Sequence, residues 1–185
     1  SATISTSPTL LYFGQDVGEN GEGNAGFGRA SRTTIFDYWG VPAHQRWMND
    51  GAFDGGQLTP DEKQLRDYYT ALMQFTRNAP ALMGNYRELN STNAGTPGYD
   101  GKIIAFARWS ADQQVLVASN FNAGRSASFA LRLSPMIADW RLDQGVYEFR
   151  DVFTGETYRI SVSGKSASAE LELAPLQSVI LVRNP

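Results

Sequence analysis

The chain has no cysteine and a single histidine in its 185 residues. Without thiols there is no disulfide, no thiolate metal site and no cysteine nucleophile. That absence fits a reducing compartment and a bacterial exported protein alike. His44 has no second imidazole with which to build a zinc site, and no Gly-x-Ser-x-Gly turn recruits it into a triad, so it reads as a hydrogen-bonding residue. Long hydrophobic runs are also missing. Nothing approaches the roughly eighteen consecutive apolar residues of a membrane span, and the first residues lack the basic region of a signal peptide. A basic excess is absent too: 16 Lys and Arg against 19 Asp and Glu give a net charge of -3. Because the cations are scattered, no face neutralises phosphates, and nucleic acid is excluded as a partner.

Two short motifs mimic cofactor sites, and their surroundings dismiss both. Gly21-Glu22-Gly23-Asn24-Ala25-Gly26 has dinucleotide-site spacing, but no amphipathic helix follows it, and its glutamate would repel a pyrophosphate. Gly164-Lys165-Ser166 resembles the end of a phosphate loop, yet Arg159 stands where the earlier glycine is required, so the triplet reads as a turn between strands. The acidic loop Asp16, Glu19, Asn20, Glu22 and Asn24 offers oxygen ligands without the periodic spacing of a calcium loop. No metal and no cofactor is expected.

What is present begins with Ser7-Pro8-Thr9-Leu10-Leu11-Tyr12-Phe13-Gly14-Gln15-Asp16. Thr9 to Phe13 is apolar without alternation, which predicts a strand buried on both faces, as in parallel sheets and barrels. Gly14 breaks it into a polar, glycine-rich stretch running to Gly56 without sustained period, expected to be a long functional loop. A helix is then announced by Thr59 as N-cap, Pro60 at the first position and Glu62 closing a capping box. Leu65, Tyr68, Tyr69, Leu72, Met73 and Thr76 form its apolar stripe, and Asn78-Ala79-Pro80 stops it. Asn90 to Gly101 is expected to be a loop without packing potential. It holds the sequon Asn90-Ser91-Thr92.

Strands follow at short intervals. Ile103 to Trp109 and Val115 to Phe121 are near-continuous apolar runs and read as central. Phe129, Leu131 and Leu133, like Leu171 and Leu173, alternate with polar neighbours and predict one wet face, and Val179 to Val182 closes the set. The pattern predicts an antiparallel β-sandwich with Greek-key connections.

The run from Ser7 to Asp16 resembles the last-strand motif of the alpha-amylase family of glycoside hydrolases, roughly Gly-x-Pro-x-x-Tyr-x-Gly-x-Glu. Tyr12, Gly14 and Gln15 fit it, while Ser7, Thr9 and Asp16 stand where the family usually has Gly, Pro and Glu. Arg77 to Tyr86 resembles the passage from the last barrel helix into that family's C-terminal β-domain. Val117-Ala118-Ser119-Asn120-Phe121, Asp151-Val152-Phe153-Thr154-Gly155-Glu156 and Leu173-Ala174-Pro175-Leu176 resemble strand motifs of that domain.

The resemblance implies an α+β fragment: the last βα unit of a (β/α)8 barrel in residues 1–81, followed by an antiparallel Greek-key β-sandwich in residues 82–185. The parent would be a retaining enzyme cleaving or transferring α-glucosidic bonds. Its catalytic carboxylates lie on earlier barrel strands, so this chain is expected to carry no catalytic residue and to be inactive alone. The expected partners are an α-glucan or malto-oligosaccharide and the missing barrel portion of the same polypeptide. The expected location leans towards the bacterial periplasm or exterior. The candidate substrate-binding residues are Asp16, Arg32, Tyr38, Trp39, His44, Arg46 and Trp47, because aromatic faces stack on pyranose rings while charged groups bond hydroxyls. They belong to a wider cluster with Arg29, Phe36 and Asp37. The alternative is a non-catalytic carbohydrate-binding or docking β-module, which a surface pair of tryptophans would support; Trp109 and Trp140 are the candidates in this domain, and Trp109 is expected to be buried in its apolar strand.

Overall fold

The computed structural model describes residues 2–19 and 41–184. They divide into two compact units: Pro8–Met73, and Ser1–Ser7 together with Gln74–Pro185.

In the first unit the strand expected over Thr9 to Phe13 does not form; these residues are irregular, and Leu10 is 90% exposed. A strand is held by its neighbours, and no described segment pairs with this one. A short 3-10 turn, Gln15–Val17, follows Gly14, whose φ of 75° suits glycine. Within the expected loop lies a helix, α1, Pro42–Met48. The predicted helix, α2, spans Pro60–Asn78. Its capping box is reciprocal: Thr59 N donates to Glu62 Oε2 at 2.9 Å, and Glu62 N donates to Thr59 Oγ1 at 3.4 Å. None of its side chains is buried.

The second unit is all-antiparallel. Its strands are β1 Asn85–Glu88, β2 Ile103–Trp109, β3 Gln114–Asn120, β4 Ala127–Arg132, β5 Gly145–Asp151, β6 Thr157–Ser163, β7 Ser166–Leu173 and β8 Ser178–Arg183. Two short helices, α3 Asn90–Asn93 and α4 Ser134–Asp139, join strands. The spatial order is β1-β2-β3-β8-β5-β6-β7-β4. The sandwich expectation thus becomes one curled eight-stranded sheet. In the strand ladder its halves are joined by β5 and β8, which pair at Arg150↔Val182 and Asp151↔Leu181. The run β5-β6-β7 with β4 beside β7 is a Greek key. Side chains from both halves, among them Leu116, Leu131, Phe149, Ile160 and Leu181, share one core.

Two buried polar side chains explain how the sheet curls. At the seam the Asp151 side chain adds to the main-chain bond from Val152 N to Ile180 O at 2.9 Å: Oδ1 accepts from Ile180 N at 3.0 Å, and Oδ2 accepts from Thr154 N and Thr154 Oγ1 at 3.1 and 2.9 Å. At the free edge Asn93, fully buried, pairs with β4 as a strand would. Its Nδ2 donates to Arg132 O at 3.1 Å and to Leu89 O at 2.9 Å, and its Oδ1 accepts from Arg132 N at 2.8 Å.

The segment Asn90 to Gly101, expected to lack packing potential, is therefore a strap tying β1 to β4. Asn90 Oδ1 accepts from Tyr99 Oη at 2.6 Å and from Ala105 N at 3.0 Å. Gly98, at φ 81°, lies so close to Ser128 O that a Cβ there would sit 2.0 Å from it. On β2, Arg108 is 2% exposed and donates to three carbonyls: Ile4 at 2.9 Å, Gly84 at 3.3 Å, and Leu82. Burial lowers its pKa. Gly164, at φ 58°, closes the β6–β7 hairpin opposite Ser163↔Ser166, which makes the Gly-Lys-Ser triplet a turn.

Candidate functional site

The described candidate residues of the first unit lie on and around α1. Its seven residues are too few to hold a helix in isolation. A remote carboxylate supplies the missing cap: Glu19 Oε2 accepts from Ala43 N and His44 N, both at 3.1 Å. Negative charge at the first-turn amides also suits the helix dipole. With Pro42 at the first position, this orients His44, Arg46 and Trp47.

Arg46 reaches across to α2, donating from Nε to Glu62 Oε2 at 2.9 Å and from Nη2 to Glu62 Oε1. This bidentate pair holds the Glu62 carboxyl at a pKa of about 2, chiefly through the hydrogen bonds from Arg46, helped by those from Thr59. Asp16 is paired with Arg66, whose guanidinium carbon sits 4.6 Å from the Trp47 ring centroid. Gln15 Nε2 donates to Tyr69 Oη at 2.8 Å.

Rings run in a row beside these pairs. Phe13 and His44 have centroids 4.5 Å apart, His44 and Trp47 5.3 Å, and Trp47 and Phe53 5.9 Å. Phe53 is 56% exposed and holds a φ of 56°, an uncommon conformation for an aromatic residue. The arrangement can offer aromatic faces and hydroxyl-bonding groups to a polar ring. Among the described residues, the Asp16 and Glu62 carboxylates each face an arginine, and one oxygen of Glu19 caps α1. No group of three or more potential metal ligands occurs among the described residues.

Of the seven candidates, the structure brings Asp16, His44, Arg46 and Trp47 into one network, whereas Arg32, Tyr38 and Trp39 lie outside the described residues, as do Arg29, Phe36 and Asp37. The sequence reading missed Phe13, Phe53, Glu62 and Arg66 as members of this cluster. Phe13 was assigned to the strand and Glu62 to the capping box, while Arg66 carried no assignment. No local pattern marks Phe53, since its backbone conformation is visible only in three dimensions.

A family model described as the alpha amylase C-terminal all-beta domain matches residues 95–184. AmyP E221Q, solved in complex with maltotriose, aligns with 98% of this chain and 32% of its own at 18% identity and a TM-score of 0.60. AmyB, a maltogenic alpha-amylase from Thermotoga neapolitana, aligns with 100% of this chain and 35% of its own at 14% identity and a TM-score of 0.58. CldA, a cyclomaltodextrin glucanotransferase, aligns with 100% of this chain and 31% of its own at 12% identity and a TM-score of 0.54. At such identities the likeness is one of fold. The chain spans about a third of the length of these structures. No curated protein matches it. Residues 95–184 are thus similar to the C-terminal all-β domain of alpha-amylases, and over its length the chain shares the fold of about a third of these structures.

Proposed function

We propose that the chain is the C-terminal part of a retaining, α-glucan-acting glycoside hydrolase of the alpha-amylase family. It supplies one wall of the substrate cleft and the accessory β-domain. Residues 1–81 are the end of the catalytic barrel and residues 82–185 the β-domain. On this reading Thr9 to Phe13 becomes the last barrel strand once its neighbours are present, and α2 is the last barrel helix, whose stripe waits for the rest of the barrel.

The observation that carries the reading is the row Phe13, His44, Trp47 and Phe53 beside the Asp16–Arg66 and Arg46–Glu62 pairs. Rings set in a row at tilted angles beside ion pairs suit a malto-oligosaccharide, whose pyranose faces stack and whose hydroxyls bond charged groups. Asp16, His44, Arg46 and Trp47, with Arg32, Tyr38 and Trp39, are the substrate contacts. Catalysis requires two carboxyl groups flanking the scissile bond, and these belong to the parent's earlier strands.

The test is direct. The purified chain releases no reducing sugar from starch, maltodextrin or pullulan. Added to a parent lacking this portion, it restores activity, and Trp47→Ala reduces that restored activity about tenfold. Turnover by the chain alone, abolished by Asp16→Asn, would overturn the reading.

A further inference from the structure

The four rings of the aromatic row are not equally open. Phe53 is 56% exposed and Phe13 40%, whereas His44 and Trp47 between them are partly buried. The Arg66 guanidinium also lies over the Trp47 ring. Phe53 is inclined 62° to Trp47, so the pair meets edge to face rather than stacked, and Phe53 keeps an open face. The tryptophan pair that a sugar-binding β-module would need does not form at the surface. Trp140 is 5% exposed and stacked on Phe149 at 5.4 Å, while Trp109, expected to be buried, is only partly so.

Phe53 is held open at a conformational cost. Three residues of its loop that are not glycine have left-handed backbones: Asn49 at φ 46°, Asp50 at 52° and Phe53 at 56°. Asparagine and aspartate tolerate that region because their short side chains bond locally, and phenylalanine has no such compensation. The loop enforces it through a set of directed bonds. Phe53 N donates to Met48 O at 2.9 Å, and Gly55 N to Trp47 O at 3.0 Å. Asp54 Oδ1 accepts from Asn49 Nδ2 at 2.7 Å and from Gly56 N at 2.9 Å. These two bonds, chiefly the one from Asn49, hold the Asp54 carboxyl below its ordinary pKa. Gly56 packs so closely that a Cβ there would sit 2.5 Å from Asn49 Nδ2. Strain that burial of the strained side chain does not offset is a mark of binding sites, where a group is wanted at a fixed place.

We infer that Phe53 is a specificity-determining residue, which stacks on a sugar unit beyond the one at Trp47 and so selects long malto-oligosaccharides over short ones. The inference rests on the cleft reading given under the proposed function. Position carries the length dependence. The two open rings, Phe13 and Phe53, stand at opposite ends of the row with His44 and Trp47 between them. A short sugar seated at Trp47 leaves Phe53 uncovered, whereas a long one reaches it. Because the loop already fixes the ring, little ordering remains to be lost on binding.

Isotope-labelled full chain titrated separately with maltotriose and maltoheptaose tests the inference. Both sugars should move the Trp47 indole N–H, and only maltoheptaose the Phe53 ring signals. Phe53→Ala should weaken maltoheptaose binding about tenfold and maltotriose binding less than about twofold. Phe53→Gly should lose the same affinity without lowering the thermal midpoint, since glycine accepts the left-handed backbone freely. A midpoint lowered by several degrees in that variant would make Phe53 a brace of its loop and overturn the inference. Equal weakening of both sugars in Phe53→Ala, or no weakening of either, overturns it as well, while binding that is still lost on Trp47→Ala sustains the cleft reading. If neither sugar binds, or if binding is indifferent to Trp47→Ala, the cleft reading itself fails and the inference falls with it.

Discussion

The two units of this chain are held by different forces. In the second, strands bury Leu116, Leu131, Phe149 and Leu181 completely, and polar groups act mainly where the ladder runs out. In the first, the described buried apolar residues are Val17, Val41 and Ala43 alone, and order comes from Glu19 capping α1, Arg46 on Glu62 and Arg66 on Asp16. The first kind of order rests on area removed from water; the second rests on directed contacts that solvent competes for. One unit has a continuous apolar interior, whereas the described residues of the other bury little apolar surface.

The largest expected effect breaks the finished domain. Leu131 is fully buried in the shared core, so Leu131→Ala removes its packing and leaves a cavity, costing about 3–4 kcal/mol. Denaturant unfolding followed by tryptophan emission measures it; a loss below about 1 kcal/mol would mean that the halves of the sheet do not share one core. Next comes the seam. Asp151→Ala removes the acceptor of Ile180 N and Thr154 N and should cost about 2–3 kcal/mol. Amide exchange should then rise first at Val152 and Ile180, where the seam is thinnest, and only later in β6 and β7. Uniform loss of protection would show that Asp151 supports the whole sheet rather than its seam.

Much of this contrast was legible in the sequence, for reasons that separate the two units. Near-continuous apolar runs marked β2 and β3, and alternation marked β4 and β7, because burial writes its period into adjacent residues. The start of α2 was legible from Thr59, Pro60 and Glu62, since its cap is local. The helix α1 was not, because its cap is Glu19, far upstream of Ala43 in the chain, and seven residues hold too little of a period to show. Thr9 to Phe13 misled in the opposite direction: an apolar run states that burial is wanted, not that a partner is at hand. Asn93 and Asp151 escaped notice because a polar side chain standing in for backbone leaves no periodic trace. The candidate site was legible as a composition, aromatics among charges, but not as geometry; Phe53 and Arg66 enter it only through the fold.

The smallest expected effect sharpens the comparison from the other side, by asking whether the first unit responds to charge where the second does not. The Glu62 carboxyl falls from its ordinary 4.5 to about 2 because Arg46 and Thr59 bond its ionised form. A depressed folded pKa means that ionised Glu62 stabilises the folded state above about pH 4.5, and that this contribution is lost as pH falls through about 2. With Arg46 36% exposed, water screens the pair and the contribution is small. Helical circular dichroism should decline between about pH 5 and pH 2, tracking the carboxyl carbon shift of Glu62, while β-domain amide signals stay in place. Glu62→Gln separates the ion pair from the cap. Glutamine can still accept from Thr59 N, so the helix start persists while the acid-dependent step disappears. If the step survives in that variant, the acid response belongs to another carboxylate, and the Arg46 contact is only a crossing of two exposed side chains.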